Sequence, residues 1–284
     1  MSNPSAPVSH LSDRVVLITG AGSGFGRATA VQAGARGAAV IAADIDLDAA
    51  EETSATITES GGRAAAVPAD VTHKPDLDAA VALAVDRFGG VDVLVNNAGT
   101  MPLAFFADHE QALEAWYRCI DVNLKGVLNG IVAVHDRMIE QGRGHVVNVS
   151  SIYGNQGTPG SGVYSATKAA VIALSEALRA ESLGAIKVTT VRPTGVVGTN
   201  LGTSVVNFDA IFGLTGDRSG SYAQHLGQWV GGTLPSGATD PDDVRYWAIG
   251  PEDLARQIVA VIDMPWGVTI SDVTVRATGE DFVR

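Results

Sequence analysis

The 284-residue sequence has a single cysteine, Cys119, so no internal disulfide can form and nothing calls for an oxidising compartment. Its simplest reading is a small, half-buried hydrophobe. Basic residues are scarce: 19 Lys and Arg face 31 Asp and Glu, a formal charge of −12. A surface of that sign repels nucleic acid and anionic lipid, so neither is expected as a partner. No apolar run approaches the roughly 20 residues that cross a bilayer. The opening residues have neither the basic start nor the apolar stretch of a targeting signal. Residues 1–13 are read as a flexible tail, and a cytoplasmic location is expected. His10, His73, His109, His135, His145 and His225 lack the paired spacing of a zinc site, so no metal is expected. Asn148-Val-Ser150 matches the glycosylation pattern but falls in an expected buried strand, where the match is accidental.

What the chain does have is core-forming material and turns: 46% apolar residues and 33 glycines, with 18% charged. From residue 14 onward short apolar runs alternate with helical-period segments, the pattern of βαβ units. Strands are expected at 15–19, 38–43, 64–68, 91–95, 145–149, 187–191 and 268–275. Helices are expected at 26–35, 47–60, 76–88, 110–140 (one helix or two), 163–183 and 252–262. The fold class that follows is α/β: residues 14–284 as a single Rossmann-like domain, a doubly wound seven-stranded parallel sheet with helices on both faces. The least regular stretch, 198–250, is rich in Gly, Ser, Thr and Asp yet carries Phe208, Phe212, Tyr222, Trp229, Tyr246 and Trp247. A connection that long inside one domain reads as a substrate-binding loop or lid.

Two motifs carry chemistry. Between the first strand and first helix, Gly20, Gly24 and Gly26 make a turn in which backbone N–H groups can approach a pyrophosphate at the positive end of a helix. Such a turn alone is a weak signal. Asp44, at the end of the next strand, strengthens it, because an acid there grips the hydroxyls of an adenosine ribose and repels a 2′-phosphate. Neither Ser23 nor Ile45-Asp46 offers a cation instead, so the cofactor expected is NAD rather than NADP. Helix capping, the structural alternative for Asp44, can be met by Asp46 or Asp48. The second motif is Tyr164-Ser-Ala-Thr-Lys168, thirteen residues beyond Ser151. Side chains four apart share a helix face. A fixed cation beside a phenol, whose ordinary pKa is roughly 10, is expected to draw it toward acid/base work.

In this order the residues resemble the short-chain dehydrogenase/reductase family, from Arg14 to Val275. Thr19-Gly-x-x-x-Gly-x-Gly26 is similar to its cofactor turn, Asp70-Val71 to its adenine-contacting pair, and Asn96-Asn-Ala-Gly99 to its sheet-stabilising motif. Asn123, Ser151, Tyr164 and Lys168 fall where the family keeps its catalytic four. The resemblance implies that Tyr164 exchanges a proton with the substrate oxygen and Ser151 holds that oxygen. It implies that Lys168 bonds the nicotinamide ribose and lowers the tyrosine pKa, and that Asn123 anchors a water leading from Lys168 to solvent. Gly20, Ser23, Gly24, Phe25, Gly26, Asp44, Asp70, Val71, Asn97, Ala98 and Gly99 would hold the dinucleotide. Pro193, Val196, Val197 and Thr199, with Tyr164 and Lys168, would meet its nicotinamide half. Two departures stand out. Thr194 occupies the family's usual glycine position after the sixth strand, and Asp272-Val-Thr-Val-Arg-Ala-Thr-Gly reads as a continuing strand where many members turn.

The activity implied is interconversion of a secondary alcohol and a ketone. The aromatic loop content suggests an uncharged, partly apolar or aromatic substrate, with Ser151, Tyr153, Gln156, Tyr164 and Val196 lining its pocket. Arg218 and Arg245 leave an acid open. The rivals are a catalytically idle dinucleotide-binding regulator and a sugar-nucleotide epimerase or dehydratase. Apolar residues on more than one face of the 163–183 helix, and the family's habit of forming tetramers through such helices, point to a homo-oligomer, dimer or tetramer.

Overall fold

In the computed structural model, which describes residues 9–282, seven strands form one wholly parallel sheet. They are β1 (Val15–Thr19), β2 (Ala39–Asp44), β3 (Arg63–Pro68), β4 (Val93–Asn96), β5 (Gly144–Val149), β6 (Ile186–Pro193) and β7 (Asp272–Val275), in the spatial order 3-2-1-4-5-6-7. β1 is buried at every position and β2 at all but its last, because both faces of the sheet are covered. Val15 and Leu17 point to one side, where α3 (Lys74–Phe88), α5 (Gly126–Glu140) and α6 (Gly162–Glu181) supply Ala80, Val134, Met138 and Val171. Val16 and Ile18 point to the other, against α1 (Gly24–Ala35), α2 (Leu47–Glu59) and α10 (Pro251–Ile262), which bring Ala30, Ile57 and Ile258. Strand order reverses between β1 and β4. Parallel strands put all their carboxyl ends on one edge, and the crevice at such a reversal is where ligands bind in this architecture.

Several expected boundaries move. The 110–140 stretch is two helices, α4 (His109–Ile120) and α5, joined by a single π-helical turn at Asp121–Lys125 that carries Asn123. β6 runs on to Pro193, which pairs with Val275 at the sheet edge. β7 is shorter than the expected 268–275. Residues 268–271 are exposed and lie outside the strand, and the strand ends at Val275 instead of continuing through Arg276 to Gly279. The 198–250 stretch is largely helical, holding α7 (Ala210–Thr215), α8 (Ser219–Val230), α9 (Ser236–Thr239) and two 3-10 turns.

The flexible-tail expectation fails for residues 9–13; residues 1–8 lie outside the described ones. The Asp263 carboxylate at the end of α10 accepts from Ser9 Oγ (3.2 Å), His10 N (2.6 Å) and Leu11 N (3.1 Å). Leu11 is fully buried in the core under α10. Asn148 is fully buried in β5. Among the described residues no helix is long and apolar enough to cross a membrane.

Candidate functional site

At the carboxyl edge the turn between β1 and α1 closes on itself because three glycines let it. Gly20 and Gly24 take φ of 66° and 52°, in the left-handed region. A Cβ on Gly20 would stand 2.9 Å from Asn97 Nδ2, and one on Gly26 would overlap the Gly20 carbonyl oxygen. Asp44 faces this turn: its carboxylate accepts from Gly22 N (2.8 Å) and Asp46 N (3.0 Å). The cap of α2 is Asp46, which accepts from Ala49 N (3.2 Å), so Asp44 is free of that duty. Asn97 Nδ2 donates to the carbonyls of Thr19 (2.9 Å) and Gly20 (3.1 Å), while Thr19 Oγ1 accepts from Asn97 N and Ala98 N. Asn97 Oδ1 is buried with no protein partner. A cradle that any side chain would fill fits a pyrophosphate, and the unpaired buried acceptor beside it fits a hydroxyl or amide donor of the same dinucleotide.

Behind the cradle, Asn96 Nδ2 donates to Asn148 Oδ1 (2.8 Å) across β4 and β5, and Asn148 Nδ2 donates to Ser175 Oγ (2.9 Å) on α6. This buried chain sets α6 against the sheet. Tyr164, Lys168, Val171, Ser175 and Leu178 recur on the buried face of α6, so the phenol and the ammonium both point inward. Ser151 follows β5 and accepts from Tyr153 N (3.2 Å); its neighbour Ser150 donates to the Lys168 carbonyl (2.8 Å) instead. Lys168 Nζ donates to the Val149 carbonyl (2.8 Å) and stands 5.8 Å from the centre of the Tyr164 ring. The Asn123 side chain is engaged through both its polar atoms: its Oδ1 accepts from Thr100 N (2.9 Å), and its Nδ2 donates to the Thr100 carbonyl, Thr167 Oγ1 and Cys119 Sγ. Cys119 is fully buried.

The phenol lies above its ordinary value, not below it. Burial pushes Tyr164 up to about 12, against the lowering effect of a hydrogen bond with Ser151. Burial pulls Lys168 down to about 8. Each charged form loses its water on burial, and a lysine at about 8 still carries its charge at neutral pH beside the phenol.

One cavity of about 580 Å³ joins the cradle to these groups. Gly20, Ser23, Gly24, Phe25, Gly26, Asp44, Asp70, Val71, Asn97, Ala98, Gly99, Pro193, Val196, Val197 and Thr199 line it together with Ser151, Tyr153, Tyr164 and Lys168.

A family model described as short chain dehydrogenase matches residues 14–209. The chain belongs to the short-chain dehydrogenase family. An uncharacterised oxidoreductase of Listeria monocytogenes is 33% identical over 273 residues, 95% of this chain and 98% of the relative. Another, from Staphylococcus aureus, is 30% identical over 267 residues, 94% and 98% of the two chains. Among solved structures, a levodione reductase is similar with TM-score 0.75 and 27% identity, covering 94% of this chain and 97% of its own. A metagenomic short-chain oxidoreductase in complex with NADP gives 0.71 and 26%, covering 95% and 100%. This chain is therefore an oxidoreductase of the short-chain dehydrogenase family, whose fold binds a nicotinamide dinucleotide.

The cavity lining differs from the expected one at Gln156, Thr194 and Phe282. Gln156 is exposed in the turn before α6 and stands outside the cavity lining, because the 3-10 turn at Ile152–Gly154 sends the chain outward there. Thr194 and Phe282, by contrast, line the cavity. Thr194 Oγ1 is bonded to the buried Glu280 carboxylate, which spends the hydroxyl on the carboxyl-terminal segment. Arg218 and Arg245 are also outside the lining: Arg218 donates to the Glu280 carbonyl (3.3 Å), and Arg245 pairs with Asp243 (2.5 Å).

Proposed function

We propose that this dehydrogenase uses NAD and interconverts a secondary alcohol and a ketone, with Tyr164 as the acid/base. The observation that carries the reading is the sharing of one cavity by the glycine cradle, Asp44, Ser151, Tyr164 and Lys168. Gly20, Ser23, Gly24, Phe25 and Gly26 hold the pyrophosphate. Asp70, Val71, Asn97, Ala98 and Gly99 bound the adenosine side, while Pro193, Val196, Val197 and Thr199 bound the nicotinamide side. Asp44 takes the ribose hydroxyls, and Ile45 and Asp46 beside it bring no cation for a 2′-phosphate. When bound, the nicotinamide accepts or supplies the hydride.

The chain's own residues do the rest. Ser151 donates to the substrate oxygen and orients it toward the phenol. Tyr164 gives its proton to that oxygen in reduction and takes one back in oxidation. Lys168, fixed by the Val149 carbonyl, places a positive charge beside the phenol and within reach of the ribose. Asn123, clamped to Thr100, holds the π-helical turn against α6 and anchors the water path from Lys168. Residues 198–250 cover the substrate end. Apart from Lys168 and Arg118, no lining residue among those described is a cation, which favours an uncharged, partly apolar or aromatic substrate lying against Ser151, Tyr153 and Val196. The levodione reductase, a reductase whose named substrate is a dione, agrees with ketone chemistry.

The enzyme works as a homo-oligomer, dimer or tetramer, in the cytoplasm. Leu113, Tyr117 and Ile120 on α4, with Leu128, Val132 and Ile139 on α5, leave 41–55% of their surface exposed at helical spacing. The test of function is turnover of an alcohol panel with NAD by the wild type and Tyr164→Phe. Loss of a general acid/base lowers kcat by about 10²–10⁴-fold while NADH binding persists. A variant within twofold of wild type would remove Tyr164 from the mechanism, and binding of NAD without turnover of any alcohol would favour a regulator.

A further inference from the structure

Phe282 belongs to no helix or strand, yet its ring touches three parts of the site at once. It packs edge-on to Tyr153 at 6.3 Å between centroids, two residues from Ser151. It lies 5.3 Å from the Tyr222 ring of α8. A Cβ on Gly195, next to Thr194 on the floor after β6, would stand 2.8 Å from its edge. Phe282 therefore joins the apolar cluster that contains Tyr164 to the one built around Tyr222 and Trp247. It is partly exposed, and it lines the cavity.

The segment that carries it is held by the two buried acids that precede it. Asp281, 3% exposed, is bonded to His225 Nδ1 (2.8 Å) and accepts from Trp247 Nε1 (2.8 Å), which ties it to the helices of 198–250. Glu280 is bonded to Thr194 Oγ1 and Arg276 Nε, and Arg276 Nη2 donates to the Phe282 carbonyl. These bonds fix the backbone up to the Phe282 carbonyl, and the contacts with Tyr153, Tyr222 and Gly195 hold the ring itself.

We propose that Phe282 is the specificity-determining wall of the substrate end, and that its ring sets how large an apolar or aromatic group the carbon bearing the reacting oxygen can carry. This rests on the ketone/alcohol reading above. The substrate class it implies is a compact, uncharged ketone or secondary alcohol whose larger substituent stacks against Phe282 and Tyr222. A ring pinned in this way rejects what overlaps it, and removing it converts rejection into acceptance.

The test compares wild type, Phe282→Leu and Phe282→Ala in steady-state reduction of 2-butanone, acetophenone and 2-acetylnaphthalene with NADH, each protein first titrated with NADH by fluorescence. The expected result is a rise of about tenfold or more in the kcat/KM ratio of 2-acetylnaphthalene to 2-butanone for Phe282→Ala, with Phe282→Leu between. A ratio within twofold of wild type in both variants overturns the wall. Loss of NADH binding in both overturns it as well, because the segment would then be part of the cofactor site. A wild type that binds NADH but reduces none of the three defeats the ketone reading itself, and the proposal falls with it.

Discussion

Lys168→Met is expected to make the protein more stable at neutral pH and less stable at pH 10. The ammonium is 5% exposed, and burial lowers its pKa from 10.5 to about 8. Folding therefore costs up to about 3 kcal/mol wherever both states would hold the proton, since each pKa unit is worth about 1.4 kcal/mol. Below pH 8 the lysine is protonated folded and unfolded, and the full cost stands. Between pH 8 and 10.5 the unfolded chain binds the proton and the folded one does not, so wild-type stability rises with pH. Methionine fills the same volume without charge but strands the Val149 carbonyl, a loss of about 1–2 kcal/mol. The balance favours the variant by about 1–2 kcal/mol at pH 7 and reverses by pH 10. Paired calorimetric melts at equal protein concentration measure this difference directly. Titrations not coupled to Lys168 are common to the two proteins and cancel, including that of Lys187, which burial also pulls down to about 8; the Cys119 thiol, already raised to about 11, is the one coupled group. A gap in Tm that is the same at pH 7 and pH 10 would refute the burial argument.

The remaining expectations concern the cofactor, the direction and the floor. Asp44→Ala loses charge-assisted bonds worth about 1.5–3 kcal/mol; NAD affinity should fall about tenfold or more while NADP affinity holds or improves, and an unchanged preference by fluorescence titration would overturn the assignment. A phenol raised to about 12 stays protonated through pH 10 and its phenolate is scarce, so kcat/KM for alcohol oxidation should climb from pH 7 to pH 10 while ketone reduction stays flat; an oxidation profile flat over that range contradicts the raised value. Thr194→Val removes the hydroxyl bonded to Glu280, whose buried carboxyl titrates above its ordinary value. A raised folded pKa means stability present at low pH and lost as pH rises, so the variant's deficit of about 1–3 kcal/mol in urea should be larger at pH 8 than at pH 4. Equal deficits would remove Glu280 from the account.

The cofactor half was readable in the sequence because each of its parts is a local demand. Gly20 and Gly24 need positive φ, Gly26 needs a missing Cβ, and Asp44 ends a strand whose apolar run announces itself. Tyr164 and Lys168 share a face by helical spacing alone, and Ser151 sits where a strand must end. Such signals act over a few residues, so composition and period suffice to find them. The titration of Tyr164 and Lys168 was a different kind of question. Spacing gives their proximity but says nothing of how much water remains, and burial decided the sign for the phenol.

What stayed illegible depends on partners far along the chain. The sequence of α8, Ser-Gly-Ser-Tyr-Ala-Gln-His-Leu-Gly-Gln-Trp-Val, carries two glycines and two serines, a composition whose own helix propensity is poor. Its helix exists because Tyr222 packs on Trp247 and Phe282, and His225 meets Asp281, 56 positions away. Glu280 reaches Thr194 across 86 positions. No periodicity marks Ala277-Thr-Gly-Glu-Asp-Phe282, so nothing local separates it from a loose end. Yet the segment closes the same cavity that the glycine turn opens. The selective wall and the cofactor cradle are thus specified at different ranges: the cradle by residues within a turn of one another, the wall by buried acids whose partners stand 56 and 86 positions away.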